Sequence, residues 1–333
     1  MHTPTFPPRR DDQEIRTAVA ALGARLLSVD AIAPDASTRR FYRLALAGRP
    51  GVVACVYPSG EEARLHHDWA VQQWAWARRL PVPEPLACTP RVIVSADLGD
   101  RGLDGVLRGE GTSALPAVLQ CLKAFQDCPR EDVPNPPFDA ALFRRELEGF
   151  TTFLDPRAAA DAAVNAFLDH LSQRLVQHPY RITHRDFHAN NLLLHQGRVH
   201  AVDFQDLRNG PDTYDLVSLL RERAGGEAVE DEARWCREAA QLLRWESGWW
   251  DRHLECACQR GLKVLGTFLR LGRGGQPCYL RYVPSAAHKT RQALAEVGAP
   301  RVLVDGVASF ADARAYNGSG EEPRNHVRQP WTS

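Results

Sequence analysis

The sequence lacks an excess of charge of either sign. Across 333 residues, 41 Lys+Arg balance 41 Asp+Glu, for a formal net charge of zero. A general nucleic-acid coat or a polybasic membrane anchor needs a one-signed footprint, so neither is expected. An anionic small ligand needs only a local patch and stays open. No apolar run approaches the ~20 residues of a membrane-spanning helix, and the first residues, MHTPTFPPRRDDQE, lack the apolar stretch of a signal peptide. The 8 cysteines, at positions 55, 88, 121, 128, 236, 256, 258 and 278, have no framework-like spacing. With Trp and Phe plentiful a core needs no disulfide staples, so reduced thiols in a cytoplasmic protein are expected. There is no repeat of the solenoid kind. What is present is an ordinary globular composition, 44% hydrophobic and 25% charged, enough for one large or two modest cores.

Periodicity divides the chain. Ile15, Val19, Leu22 and Leu26 predict an amphipathic helix over 11–27. Strand-like runs follow at 40–47 and 51–57, joined by the turn Gly48-Arg49-Pro50-Gly51, then a helix over 61–80, a Pro-rich break and a strand at 91–94. After Gly99 helical stripes dominate: Leu115, Val118, Leu119, Leu122 and Phe125, then Val164, Phe167, Leu168, Leu171 and Leu175. Short β-like runs return between Arg181 and Asp203, followed by helices to about Ala295. Strands first and helices later predict an α+β protein of two lobes, a small sheet lobe over 12–97 and a mainly helical one over 98–315. Residues 316–333 have little to bury and predict a flexible tail.

The chemistry concentrates in Ile182-Thr183-His184-Arg185-Asp186-Phe187-His188-Ala189-Asn190-Asn191, followed by Val202-Asp203-Phe204-Gln205-Asp206. In a phosphoryl-transfer site an Asp on a rigid loop orients or takes the proton of an attacking hydroxyl. An Asn five residues later offers a neutral oxygen, and a second Asp at a strand end holds a divalent cation. A lone His-x-Asp is common in loops, but His184-x-Asp186-x4-Asn191 with Asp203-Phe204 is hard to reach by chance. Mg²⁺ suits such an all-oxygen set.

This stretch resembles the catalytic and metal-binding loops of the aminoglycoside phosphotransferase family, which has a protein-kinase-like fold. The longer string through Gly210-Pro211-x2-Tyr214-Asp215-Leu216-x-Ser218-Leu219-Leu220 is similar to one branch, the cell-wall sugar anomeric kinases. Ser37-x-Arg39-Arg40-x-Tyr42-Arg43, Asp97-Leu98-Gly99-Asp100 and Gln259-Arg260-x2-Lys263-Val264-Leu265-Gly266 match it in order. The resemblance implies an antiparallel-sheet lobe and a helical lobe. It implies phosphorylation by ATP of the C1 hydroxyl of N-acetylmuramate or N-acetylglucosamine. Asp186 would be the base, Asn191 and Asp203 the Mg²⁺ ligands, and His184 a brace of the loop. His188 would approach phosphate or stabilise the loop, and Asp215 would cap or anchor the helix that follows it. Phosphorylation of an aminoglycoside or a choline-like alcohol, and nucleotide binding without catalysis, are the competing readings.

The Gly-rich loop and strand lysine by which protein kinases hold phosphates are missing: the turn is Asp35-Ala36-Ser37-Thr38-Arg39-Arg40, and Val52 to Tyr57 contains no Lys. Ser37, Thr38 and backbone amides are expected to cradle phosphate, with Arg39 or Arg40 adding charge and Arg40 preferred. Strand alternation puts Arg39 with Phe41 on one face and Arg40 with Tyr42 on the other. Adenine is expected at backbone groups from Ser95 to Leu98, near Asp97. For the sugar, Glu146, Arg260, Lys263 and the pair Trp249/Trp250 are candidates, with the tryptophans favoured as core. Arg260 and Lys263 share a helix face and would meet either a substrate carboxylate or the acids of the catalytic loop. His253-x-x-Cys256-x-Cys258 lacks a fourth ligand at finger-like spacing and reads as buried thiols.

Overall fold

The computed structural model describes residues 9–32, 38–223 and 229–312. Ser37 and the segment expected to form a tail lie outside the described residues. The chain forms two compact units.

The first unit reaches Gly99 and takes in residues 132–134 and 193–205. Its elements are α1 (Arg9–Ala21), β1 (Leu26–Ile32), β2 (Arg40–Leu46), β3 (Val52–Val56), α2 (Glu62–Ala77), β4 (Pro85–Cys88) and β5 (Val92–Ala96). The strands form one antiparallel sheet in the order β1-β2-β3-β5-β4. The register aligns Tyr42 with Ala54 and Ala54 with Val94, and these share a core with Ile15, Ala18 and Val19 of α1. The alternate residues Cys55 and Ile93, with Phe41, meet Leu65 and Trp69 of α2. Helices therefore cover both faces, as the period of two along each strand requires.

α1 stops short of the expected Leu27. Gly23 takes a φ of +61°, which ends the helix, and Leu26 opens a strand instead. β4 was hidden by the run of Pro81, Pro83 and Pro85; Pro85 is tolerated as its first residue and on the sheet edge.

The second unit holds Asp100–Glu131, Asn135–Leu192 and the chain from Asp206. Its helices are α3 (Leu103–Glu110), α4 (Leu115–Gln126), α5 (Ala140–Thr151), α6 (Pro156–Ala159), α7 (Ala162–Leu175), α8 (Tyr214–Arg221), α9 (Glu232–Leu243), α10 (Trp249–Arg273), α11 (Val283–Glu296) and α12 (Arg301–Ala308). Two short ribbons interrupt the helices along the chain: β6 (Tyr180–Thr183) with β9 (Arg208–Pro211), and β7 (Leu192–His195) with β8 (Arg198–Ala201). Phe143, Leu147 and Phe150 of α5, Leu168 and Leu171 of α7, and Leu254, Leu265 and Leu269 of α10 share one core. A two-piece division at 97/98 misses that residues 193–205 belong with the first unit. There Ala201 N–H donates to the Pro81 carbonyl at 2.8 Å, and His195 Nδ1 lies 3.0 Å from the Leu98 carbonyl. Among the described residues no helix is long and apolar enough to cross a membrane.

Candidate active site

In the second unit β6 delivers the chain to a loop whose backbone is strained. Arg185 has a φ of +80°, a left-handed conformation that costs an L-residue about 1–2 kcal/mol. Hydrogen bonds over-determine it. The N–H groups of His184 and Arg185 donate to the two carboxylate oxygens of Asp215, at 2.6 and 3.0 Å, and Arg260 donates to the Arg185 carbonyl. Asp215 sits in the first turn of α8, where it was expected to cap or anchor that helix; its carboxylate reaches back to the loop instead. It is fully buried. Burial pushes its carboxyl up to about 7, against the pull of the His184 N–H and Arg260 toward the anion. His184 is also buried, its Nδ1 accepting from the Asp186 N–H at 3.3 Å, its ring edge-on to Phe125 and Phe187.

Asp186 projects from this loop with its side chain 38% exposed, and Arg260 Nη2 donates to its Oδ1 at 3.1 Å. Desolvation alone would raise its pKa, but Lys263, Arg260 and their neighbours hold it well below the usual carboxylate range. Arg260 itself is buried, forked onto Glu222 and lying 4.9 Å from the Tyr214 ring centroid. Of the partners expected for it, the acid of the loop, Asp186, is the one it meets within the protein. Glu146 also turns to protein groups: it receives Arg185 Nη2 at 2.8 Å and Gln259 Nε2 at 2.9 Å, with Lys263 Nζ at 3.2 Å. Burial pushes Glu146 up, but Lys263 and Arg185 outweigh it and bring it down to about 2. Glu146 therefore sets the position of two cations.

Those cations border a hollow of about 230 Å³ whose walls include Arg185, Asp186, His188, Glu222, Arg223 and Lys263. His188 is 8% exposed and its Nδ1 has no hydrogen-bond partner among the described residues. Burial and Arg223 hold its pKa well below the usual value, so the ring is neutral. The Asn191 side chain donates through Nδ2 to the Asp186 carbonyl at 3.0 Å, which orients the amide so that Oδ1 is the atom left to meet a cation. Trp249 and Trp250 are half-buried, and Trp250 stacks on His253 at 5.5 Å between centroids, outside the walls of the hollow.

In the first unit Asp203 also has a left-handed backbone, with φ +63°. Its Oδ1 accepts from Gln205 at 2.8 Å and from Arg39 Nη2 at 3.0 Å. Arg39 is 7% exposed and continues to Asp68 at 3.2 Å. Arg40, preferred for phosphate, is committed elsewhere: it bonds both oxygens of Asp11 at 2.6 and 2.7 Å, an acid that also accepts from Tyr42. The alternation of side chains explains the split, since Arg40 and Tyr42 face α1 while Arg39 faces α2. Thr38 Oγ1 donates to Glu61 at 3.2 Å, and Ser95 Oγ to Gln72 at 3.2 Å. Asp97 accepts from the Gly99 N–H at 2.9 Å and pairs with Arg43 at 2.7 Å, so it shapes a turn.

Sequence reasoning missed Asp68, Tyr57, Glu222 and Arg223. Asp68 sits among buried positions of α2, and an acid on the apolar stripe of a helix is the signal that could have found it. Cys256 and Cys258 are buried thiols, raised in pKa by desolvation. His253 lies 2.6 Å from Glu232 and 3.5 Å from Cys236 Sγ.

A model of the phosphotransferase enzyme family matches residues 28–255. The N-acetylmuramate/N-acetylglucosamine kinase of Pseudomonas putida is 28% identical over 294 residues, covering 77% of this chain and 80% of that protein. The kinase of the same name from Pseudomonas aeruginosa is 29% identical over 296 residues, covering 79% and 85%. Among solved structures, the choline kinase of Streptococcus pneumoniae aligns with a TM-score of 0.60 at 12% identity, covering 90% of this chain and 100% of that one. A spectinomycin phosphotransferase, solved with ADP and spectinomycin, aligns at 0.59 and 11% identity, covering 93% and 99%. The likeness gives the protein-kinase-like fold, and the family model covers the strand residues, the loop bearing Asp186 and the start of α10. The chain belongs to the phosphotransferase enzyme family and is an enzyme that transfers phosphate to a hydroxyl acceptor.

Proposed function

We propose that this enzyme is a cytoplasmic sugar kinase that uses ATP and Mg²⁺ to phosphorylate the anomeric hydroxyl of N-acetylmuramate and N-acetylglucosamine in cell-wall recycling. The observation that carries the reading is the hollow beside Asp186, where Arg185, Arg223 and Lys263 balance Asp186, Asp206 and Glu222. A polycationic aminoglycoside calls for a strongly acidic wall. A sugar bearing hydroxyls, an acetamide and, in muramate, a carboxylate is better matched by donors and acceptors of both signs. The names and extent of similarity of the two Pseudomonas kinases support the same acceptor.

Asp186 is a weak base, because its cationic neighbours stabilise the anion. It suits an acceptor whose proton is already acidic, and anomeric hydroxyls are more acidic than ordinary alcohols. It also suits a loose phosphoryl-transfer transition state, in which the nucleophile needs orientation more than prior deprotonation. In this reading Asp186 receives the acceptor O–H, His184 and Asp215 fix the loop that carries it, and neutral His188 offers a hydrogen bond within the hollow. Asn191 and Asp203 would hold Mg²⁺; both offer oxygen, and the fixed orientation of the Asn191 amide fits that donor set. The cation, when bound, supplies charge neutralisation at phosphate.

The test is ADP release with N-acetylmuramate, N-acetylglucosamine, kanamycin and choline, followed by phosphorus NMR of the product. The reading expects turnover with the two amino sugars and a C1 phosphate. Turnover confined to kanamycin or choline, or phosphate on another carbon, would refute it.

A further inference from the structure

The lysines of the chain, Lys123, Lys263 and Lys289, all fall in the second unit. The first unit therefore has no lysine ammonium for phosphate. Kinases of this fold hold such a cation in place by pairing it with a helix acid, and the first unit contains a pair of that kind made from other residues. Arg39 lies one residue before β2. Because Arg40 pairs with Val56, Arg39 falls beside Tyr57 at the end of β3. Its guanidinium lies 5.6 Å from the Phe41 ring centroid and 6.0 Å from that of Tyr57. Nη1 donates to Asp68 Oδ2 at 3.2 Å, and the Tyr57 hydroxyl donates to the same oxygen at 2.7 Å. Asp68 and Tyr57 are 3% and 2% exposed. The other arm, Nη2, rests on Asp203, whose side chain is 48% exposed. One arm of the fork is thus fixed in the interior and the other reaches an accessible acid.

We propose that Arg39, positioned by Asp68 and Tyr57, is the phosphate-binding cation of this enzyme, and that its outer arm exchanges Asp203 for nucleotide phosphate, coupling nucleotide binding to divalent-cation binding. The proposal rests on the kinase reading above. While Arg39 holds Asp203, a cation must displace a charge-assisted bond to use that carboxylate. Once phosphate takes the guanidinium, Asp203 is released to the cation. Each ligand then favours the state that the other needs, which is positive coupling between them. A lysine is a compact point charge without the planar, pre-organised fork that reaches two acids at fixed geometry, so the arrangement favours arginine. Arg40 cannot substitute, because both of its bonds go to Asp11 on the other face of the sheet.

The test is titration of the full chain with Mn²⁺ alone, read by electron paramagnetic resonance, and with the ATP analogue AMP-PNP, read by calorimetry with and without the metal. Arg39→Met should weaken AMP-PNP about 10-fold or more, the worth of one to two charge-assisted bonds. It should bind Mn²⁺ more tightly than wild type when nucleotide is absent, and the two ligands should no longer help each other. Arg39→Lys should recover part of the nucleotide affinity but not the coupling. The double variant Arg39→Met/Asp68→Asn removes the buried carboxylate left behind and should show the same nucleotide defect in a stably folded chain. Arg40→Ala should leave AMP-PNP affinity within about two-fold. Wild-type protein that binds AMP-PNP, together with an Arg39→Met variant that binds it equally well or shows unchanged Mn²⁺ affinity, overturns this proposal alone. Wild-type protein that binds no AMP-PNP overturns the kinase reading as well.

Discussion

Replacing Asp215 by Asn tests whether a buried carboxylate behind the loop holds Asp186 in place. The side chain keeps its shape but exchanges one acceptor oxygen for an NH₂ donor. One of the two backbone N–H groups, of His184 or Arg185, then loses a charged partner and faces a donor. A hydrogen bond to a charged group is worth about 1.5–3 kcal/mol, and the orphaned N–H is buried. The strain at Arg185, about 1–2 kcal/mol, loses one of the three hydrogen bonds that offset it. Burying a neutral amide costs less than burying the carboxylate, so the net destabilisation should be about 1–3 kcal/mol, or roughly 1–4 °C in Tm. The kinetic effect should be larger, because an ångström of displacement at Asp186 can cost about 10²-fold in rate. The assay is thermal unfolding alongside initial-rate kinetics at pH 8, above the value of about 7 to which burial raises this carboxyl. A fall in kcat of about two orders of magnitude with nucleotide KM little changed is expected. Wild-type kcat in the Asn variant would refute the argument, and so would a loss of rate fully explained by unfolding.

Glu146 predicts acid sensitivity. Its value in the folded chain is about 2 against the ordinary 4.5, so its stabilisation is complete above pH 4.5 and lost as pH falls toward 2. The shift corresponds to about 3 kcal/mol, and the acid-induced drop in Tm should shrink in Glu146→Gln; an unchanged pH profile would contradict the pairing. Arg260→Met strands Glu222, which is 7% exposed, and should cost about 3–5 kcal/mol in denaturant unfolding, with part recovered by adding Glu222→Gln; simple additivity of the two would argue against their coupling. Gly266→Ala should cost about 1–3 kcal/mol by overpacking. Its Cβ would lie 2.8 Å from the Phe150 nitrogen, and a variant as stable as wild type would show that α5 and α10 can separate at no cost.

The order of the major elements was legible because the apolar periods are strong: α2, α4, α7 and the strands at 40–46 and 52–56 follow residues that alternate or recur every three or four. The end of α1 was not, since Leu22 and Leu26 extend a helical pattern across Gly23, whose φ of +61° breaks the helix. β4 was obscured by prolines that a sheet edge tolerates. At the site, local spacing exposed Asp186, Asn191 and Asp203 as candidates. The partners of the loop come from distant segments: Asp215 from α8, Arg260 from α10, Glu146 from α5. Periodicity cannot say which buried acid meets which cation. The strand residues show both sides of this. Alternation separates Arg39 from Arg40, but only the packing of the helices shows that Arg40 meets Asp11 and Arg39 meets Asp68.

The most direct measurement of the central claim is single-turnover phosphoryl transfer by Asp186→Asn, with AMP-PNP affinity and Tm measured on the same preparation. The account predicts a rate lower by about 10²–10⁴-fold, with nucleotide affinity and stability close to wild type. An Asn variant that transfers phosphate at the wild-type rate would contradict it.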